Sequence, residues 1–296
     1  MSRPGFLTYA LIVRLLTMSI VWLVLLIWHF NAYRAGCGAT LGFLGVLALF
    51  LLVAGVEKSL LHRQALFDEC VGDEDRLFVF FHSRVLMIAR ELVIALFLAA
   101  VLLISALLFE PRQWSLLFVD LMLLTLLIPR ITAAMSEQVR PRYRFAMARQ
   151  WVMWISLALL WGEALLVTTL SPSDYFGGMR WQEVVTYGVS QPEVQCALVG
   201  DMAHVYVVGE ALAVWAVQNA SRVMNDPTQA IMVWVGYLAL VGFSLLVALA
   251  YSRALVGVMG RPWELWASRR TTLGGREPRS DTDGSEGPAS HATGAT

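Results

Sequence analysis

A chain of 296 residues in which 58% are hydrophobic, with a mean hydropathy of +0.64, is too apolar for a soluble globular domain. Its 22 basic and 22 acidic residues cancel, which excludes the strongly basic footprint of a nucleic-acid binder, and no direct nucleic-acid contact is expected. Three cysteines, Cys37, Cys70 and Cys196, are too few for a disulfide framework and lack zinc-ligand spacing.

The first apolar run, 7–30, reads as a signal-anchor helix, because no small-residue cleavage site ends it. Arg14 lies inside it, close enough to the end to snorkel to the headgroups. A short external loop holding Cys37 leads to the second span, 39–56, where Gly38 and Gly42 form a GxxxG pair suited to close helix contact. A charged cytoplasmic loop, 57–91, follows. Its Asp73-Glu74-Asp75 run resembles a helix start, and the pattern from Arg76 is amphipathic. The third span, 92–109, and the fourth, 114–128, are joined by a tight turn, and the fourth continues a turn past Pro129 or thins the bilayer.

The loop 129–150 fixes the orientation. Arg130, Arg140, Arg142, Arg144 and Arg149 stand against Glu137 alone, and arginine this dense between two spans is retained in the cytoplasm. The fifth span, 151–170, then runs outward. Segment 171–230 is read as an external region whose apolar stretch 199–220 packs at the outer interface. Were that stretch to span, the arginine-rich end of the chain would lie outside. The sixth span, 231–255, returns inward, and 269–296 is a disordered cytoplasmic tail set apart from a transmembrane domain of 1–268. The expected fold is an all-α polytopic membrane protein: six transmembrane helices, both termini cytoplasmic, one external interfacial helical region. A bacterial-type inner membrane is its expected location.

Two carboxylates, Asp120 and Glu163, fall inside predicted spans. Counting from the outer ends puts them at similar depth on adjacent helices, with no Lys or Arg at that level. Such acids can carry a proton, ligate a cation or touch a substrate. They can equally be neutral and structural, bonded to Thr125, Ser156, a carbonyl or each other. In the external region Asp201 and His204, at i and i+3, share a helix face and could hold a metal or act as acid and base, although Glu210 projects from the opposite side and no metal site closes locally. Cys37 and Cys196 both face the external compartment and can pair there, whereas Cys70 lies inside. No Walker loop, GxGxxG unit, HExxH or GxSxG occurs, so neither enzymatic chemistry nor a cofactor is expected.

The run Gly55-Val-Glu-Lys-Ser-Leu-Leu-His-Arg63, with Asp75-Arg-Leu-Phe-Val-Phe-Phe-His-Ser-Arg84, resembles the cytoplasmic loop of membrane proteins carried on integrating conjugative elements. Glu163-Ala-Leu-Leu-Val-Thr-Thr-Leu-Ser-Pro172 resembles the same family, in swapped order. The resemblance implies an accessory inner-membrane subunit of conjugative DNA transfer or secretion, whose partners are the bilayer and other proteins of an envelope complex. A small proton- or cation-coupled transporter using Asp120 and Glu163 is the alternative.

Overall fold

A chain whose backbone must satisfy its own hydrogen bonds in lipid folds into helices. In the computed structural model, which describes residues 4–70, 84–135, 141–170, 176, 178–189, 194–219 and 227–259, the elements are helical throughout and no strand occurs among the described residues. They are α1 (Pro4–Asn31), a short 3-10 turn (Ala32–Arg34), α2 (Cys37–Cys70), α3 (Arg84–Leu108), α4 (Pro111–Ala134), α5 (Pro141–Leu170), α6 (Trp181–Val189), α7 (Ala197–Gln218) and α8 (Pro227–Val258). Among the described residues five helices are long and apolar enough to cross a membrane: α1, α2, α3, α4 and α8. The protein is accordingly a multi-pass membrane protein.

Local sequence sets the helix ends. At α4 the Glu110 N–H donates to the Gln113 side chain at 2.9 Å, and Pro111 occupies the first helical position, where its missing N–H costs nothing. Pro129 then passes inside the same helix, which continues to Ala134. Several helices outrun a hydrocarbon core of about 30 Å. With 34 and 32 residues, α2 and α8 are roughly 51 and 48 Å long. The part of α2 beyond Glu57, expected as loop, is therefore helix as far as Cys70, and α5 starts at Pro141, within the expected arginine loop. The acidic run at 73–75, most of the amphipathic pattern after it, and the tail from 260 onward lie outside the described residues.

The bundle is apolar outside as well as inside. On α1, Ile12, Leu16, Ile20, Leu23 and Ile27 form one exposed stripe, while Met18, Val21, Leu25 and Trp28 are fully buried. These buried residues join Leu47 and Leu51 of α2, Leu98 and Leu102 of α3, Leu121 and Leu124 of α4, Val152 of α5 and Leu255 of α8 in one continuous core. A soluble bundle of this size would solvate that outer stripe. Here lipid is the matching solvent.

Close backbone approach occurs at other glycines than those the sequence singles out. Gly38, Gly42 and Gly45 face open space, so the GxxxG pair makes no close helix contact among the described residues. A Cβ at Gly257 of α8 would instead run into the Phe50 backbone of α2, one at Gly55 into Arg253 and Glu91, and one at Gly236 into Ala216 of α7. The first two lie where α2 and α8 press together, and the third lies where α7 packs along the first half of α8.

Candidate functional site

Two polar clusters sit inside this apolar bundle. The first lies near the end at which α8 finishes. Glu57 of α2 is bonded by Arg149 of α5, with side-chain exposures of 6% and 4%, and Arg149 also donates to the Met259 carbonyl. Arg149 stacks over the Phe145 ring at 4.6 Å, and Arg14 of α1 approaches the same ring at 5.6 Å. Beside this pair, Arg253 of α8 bonds Glu91 of α3 at 2.5 Å, while Arg90 and the Ser59 hydroxyl donate to the other Glu91 oxygen at 2.8 and 2.9 Å. Four helices are thus tied by two acid–arginine pairs around the bare backbone of Gly55. Buried pairs of this kind must satisfy each other, since neither charge can return to water. One Glu57 oxygen, Oε2, is buried without a partner among the described residues.

The second cluster lies deeper. Asp120 of α4 is 4% exposed, and its Oδ2 is 2.7 Å from Ser156 Oγ of α5. Ser156 Oγ is 2.8 Å from Ser252 Oγ of α8, and Ser252 Oγ is 2.7 Å from its own Ala248 carbonyl. Asp120 Oδ1 is buried and has no hydrogen-bond partner among the described residues. Next to this chain the buried Tyr251 hydroxyl donates to the Leu117 carbonyl of α4 at 2.9 Å. Three helices that lipid alone would not hold in register are pinned here by hydroxyl contacts.

Glu163 does not join Asp120. Asp120 pairs with Ser156, which lies on α5 about 10 Å from Glu163 toward the ionic end. Glu163 is half-buried and lies within electrostatic reach of Arg112. The expectation of equal depth fails because it assumed that both helices leave the bilayer at their last apolar residue. A base does stand near Glu163, since Arg112 lies in the first turn of α4.

At the opposite end of the bundle a disulfide joins Cys37, the first residue of α2, to Cys196, just before α7, with Cα atoms 4.8 Å apart. It ties the start of α7 to the first helical hairpin across 159 residues of sequence. Phe176, Gly178 and Met179 are fastened to the other end of α7. There the Asn219 amide donates to the Phe176 carbonyl and the Trp215 indole to the Met179 carbonyl, and Gly178 takes the positive φ of 89° that the turn requires. On α7, Asp201 is exposed and His204 half-buried, lining a small cavity together with Tyr33, Leu107 and Leu108. No hydrogen bond or ion pair links Asp201 to His204, and no group of three or more potential metal ligands forms among the described residues.

Sequence reading missed the ionic cluster. Glu57 and Glu91 fall in the charged loop 57–91, Arg149 in the arginine loop 129–150 and Arg253 near the inner end of the sixth span, so none of them reads as a tie between helices. The available signal was that each lies at one end of an apolar run, two acids on one helical hairpin and two arginines on later helices. No family model matches the chain, and no curated protein or solved structure matches it.

Proposed function

We infer that the chain is a non-enzymatic scaffold subunit of an envelope assembly in a bacterial-type inner membrane. It crosses six times, through the five apolar helices and α5, with both termini cytoplasmic. The observation that carries the reading is the pairing of a disulfide-anchored α7 at one end with a charge-locked bundle at the other. A disulfide persists in an oxidising compartment, and arginine-rich ends are retained in the cytoplasm, so two independent arguments favour the same orientation. The long helices α2 and α8, which outrun the hydrocarbon core, supply arms on which partner membrane proteins can dock. The resemblance to conjugative-element membrane proteins favours a transfer or secretion machine as the assembly.

The runner-up is a small proton- or cation-coupled transporter, favoured by the unpartnered oxygen of Asp120. Purification from native membranes in mild detergent separates the two. A scaffold retains one reproducible set of partner membrane proteins, and the double variant Asp120→Asn, Glu163→Gln keeps that set. A chain that purifies alone, and whose proteoliposomes carry an ion flux lost in the double variant, overturns the scaffold.

A further inference from the structure

Counting protons along the deeper cluster leads to a result independent of the scaffold reading. Four oxygens stand in a row: Asp120 Oδ2, Ser156 Oγ, Ser252 Oγ and the Ala248 carbonyl, with spacings of 2.7, 2.8 and 2.7 Å. Each spacing is that of an O–H···O hydrogen bond, so each needs one hydrogen. The carbonyl can only accept, and each serine supplies one hydrogen. Two hydrogens cannot fill three contacts. If Asp120 were ionised, one pair of oxygens would face each other at bonding distance with nothing between them, in a medium that punishes such contacts most. A third hydrogen on Oδ2 resolves the row. Asp120 then donates to Ser156, Ser156 to Ser252, and Ser252 to the Ala248 carbonyl.

We propose that Asp120, Ser156 and Ser252 form a proton-binding site at the crossing of α4, α5 and α8, in which Asp120 holds one proton on Oδ2 and donates it into a directed chain. The ligand is a proton rather than a metal cation, because Asp120 is the one carboxylate in the row and no group of three or more potential metal ligands forms among the described residues. The unpartnered Oδ1 fits as well. It is the carbonyl oxygen of a neutral acid, which is cheaper to leave unbonded than half of a carboxylate.

Among the described residues no neighbouring charge bonds to the site. From α8, the Tyr251 hydroxyl is taken by Leu117, and Arg253 turns to Glu91. From α5, Arg149 holds Glu57, and Glu163 lies beside Arg112 of α4. Lys58 of α2 sits over the Trp154 ring at 5.7 Å, and Arg14 of α1 approaches Phe145 at 5.6 Å.

The test is infrared spectroscopy of the full chain in detergent at neutral pH, in H2O and in D2O. The wild type should show a protonated-carboxyl carbonyl band that shifts down in D2O. Asp120→Asn should lose that band, and Glu163→Gln should keep it. Ser156→Ala, which leaves the acid its proton but removes the acceptor, should move the band upward to the position of an acid without a hydrogen-bond acceptor. If Asp120→Asn does not fold, the Ser156→Ala shift and the wild-type pH dependence still decide. A wild-type spectrum with no such band at neutral pH overturns the proposal. So does a band untouched by both Asp120→Asn and Ser156→Ala, or one whose loss on raising the pH is complete by neutrality.

Discussion

Removing either partner of the Glu57–Arg149 pair should destabilise the bundle strongly, and unequally. With 6% and 4% side-chain exposure, neither group can be rescued by water. Stranding one member of such a pair costs about 3–5 kcal/mol, against about 0–1 kcal/mol for an exposed pair. The structure sorts the two single variants within that range. Glu57→Gln leaves Arg149 with the Met259 carbonyl and the Phe145 ring, so its loss should fall near ~3 kcal/mol. Arg149→Met leaves Glu57 with one oxygen already unpartnered, so its loss should approach ~5 kcal/mol. At roughly 2–4 °C per kcal/mol for a domain of this size, the melting temperature in detergent should fall by about 6–20 °C. The double variant Glu57→Leu, Arg149→Met replaces charge with apolar bulk and should recover most of the loss. A coupling energy below ~0.5 kcal/mol in the Glu57→Gln, Arg149→Met cycle, with each single change costing under ~1 kcal/mol, would refute the claim that this pair is desolvated.

Three further outcomes follow from the packing and the disulfide. Unfolded under non-reducing conditions, the protein should take a thiol mass tag on Cys70 alone, and Cys37→Ala with Cys196→Ala should cost about 2–5 kcal/mol; tagging at all three cysteines would contradict the bridge. Gly257→Leu should lower the melting temperature sharply, because its side chain would meet the Phe50 backbone, while Gly42→Leu should change stability by no more than about 0.5 kcal/mol. A green fluorescent protein fused after Thr296 should fluoresce and alkaline phosphatase fused there should be inactive; the reverse pattern would mean that α7 crosses the bilayer.

The helices were legible in the sequence because lipid leaves the backbone one economical solution and the apolar runs announce it. Their true lengths were not. Hydropathy reports where a helix meets lipid, but α2 continues to Cys70 and α5 begins at Pro141 through residues that are charged yet still helix-forming. The glycine contacts were illegible for a related reason. Gly38 and Gly42 have the right spacing, but spacing does not say which face a helix turns toward its neighbour. Gly55 meets Arg253, and Gly257 meets Phe50, only once α2 and α8, far apart in the chain, lie together.

Charge gave the sequence reading its topology and hid the bundle's internal ties. Counting arginines at the ends of apolar runs treats each as a label for one side of the membrane, and that use needs no partner. The same residues, once the helices assemble, stand opposite acids at equal depth: Arg149 opposite Glu57, and Arg253 opposite Glu91. A lone arginine at a span's end has water within reach and needs nothing else. It becomes a structural tie only when neighbouring helices close off that water, as Phe145 and the Met259 turn do for Arg149 here. Asp120 was visible for the opposite reason, since no headgroup lies within its short reach and its sequence position already demanded an internal partner. Ser156 was among the partners that composition could offer. That Ser252 follows it, and that the row ends on a carbonyl unable to donate, depended on α8 crossing α5 at that depth. The protonation state of the site is therefore a property of the assembled bundle, fixed by the number of hydrogens its oxygens can share.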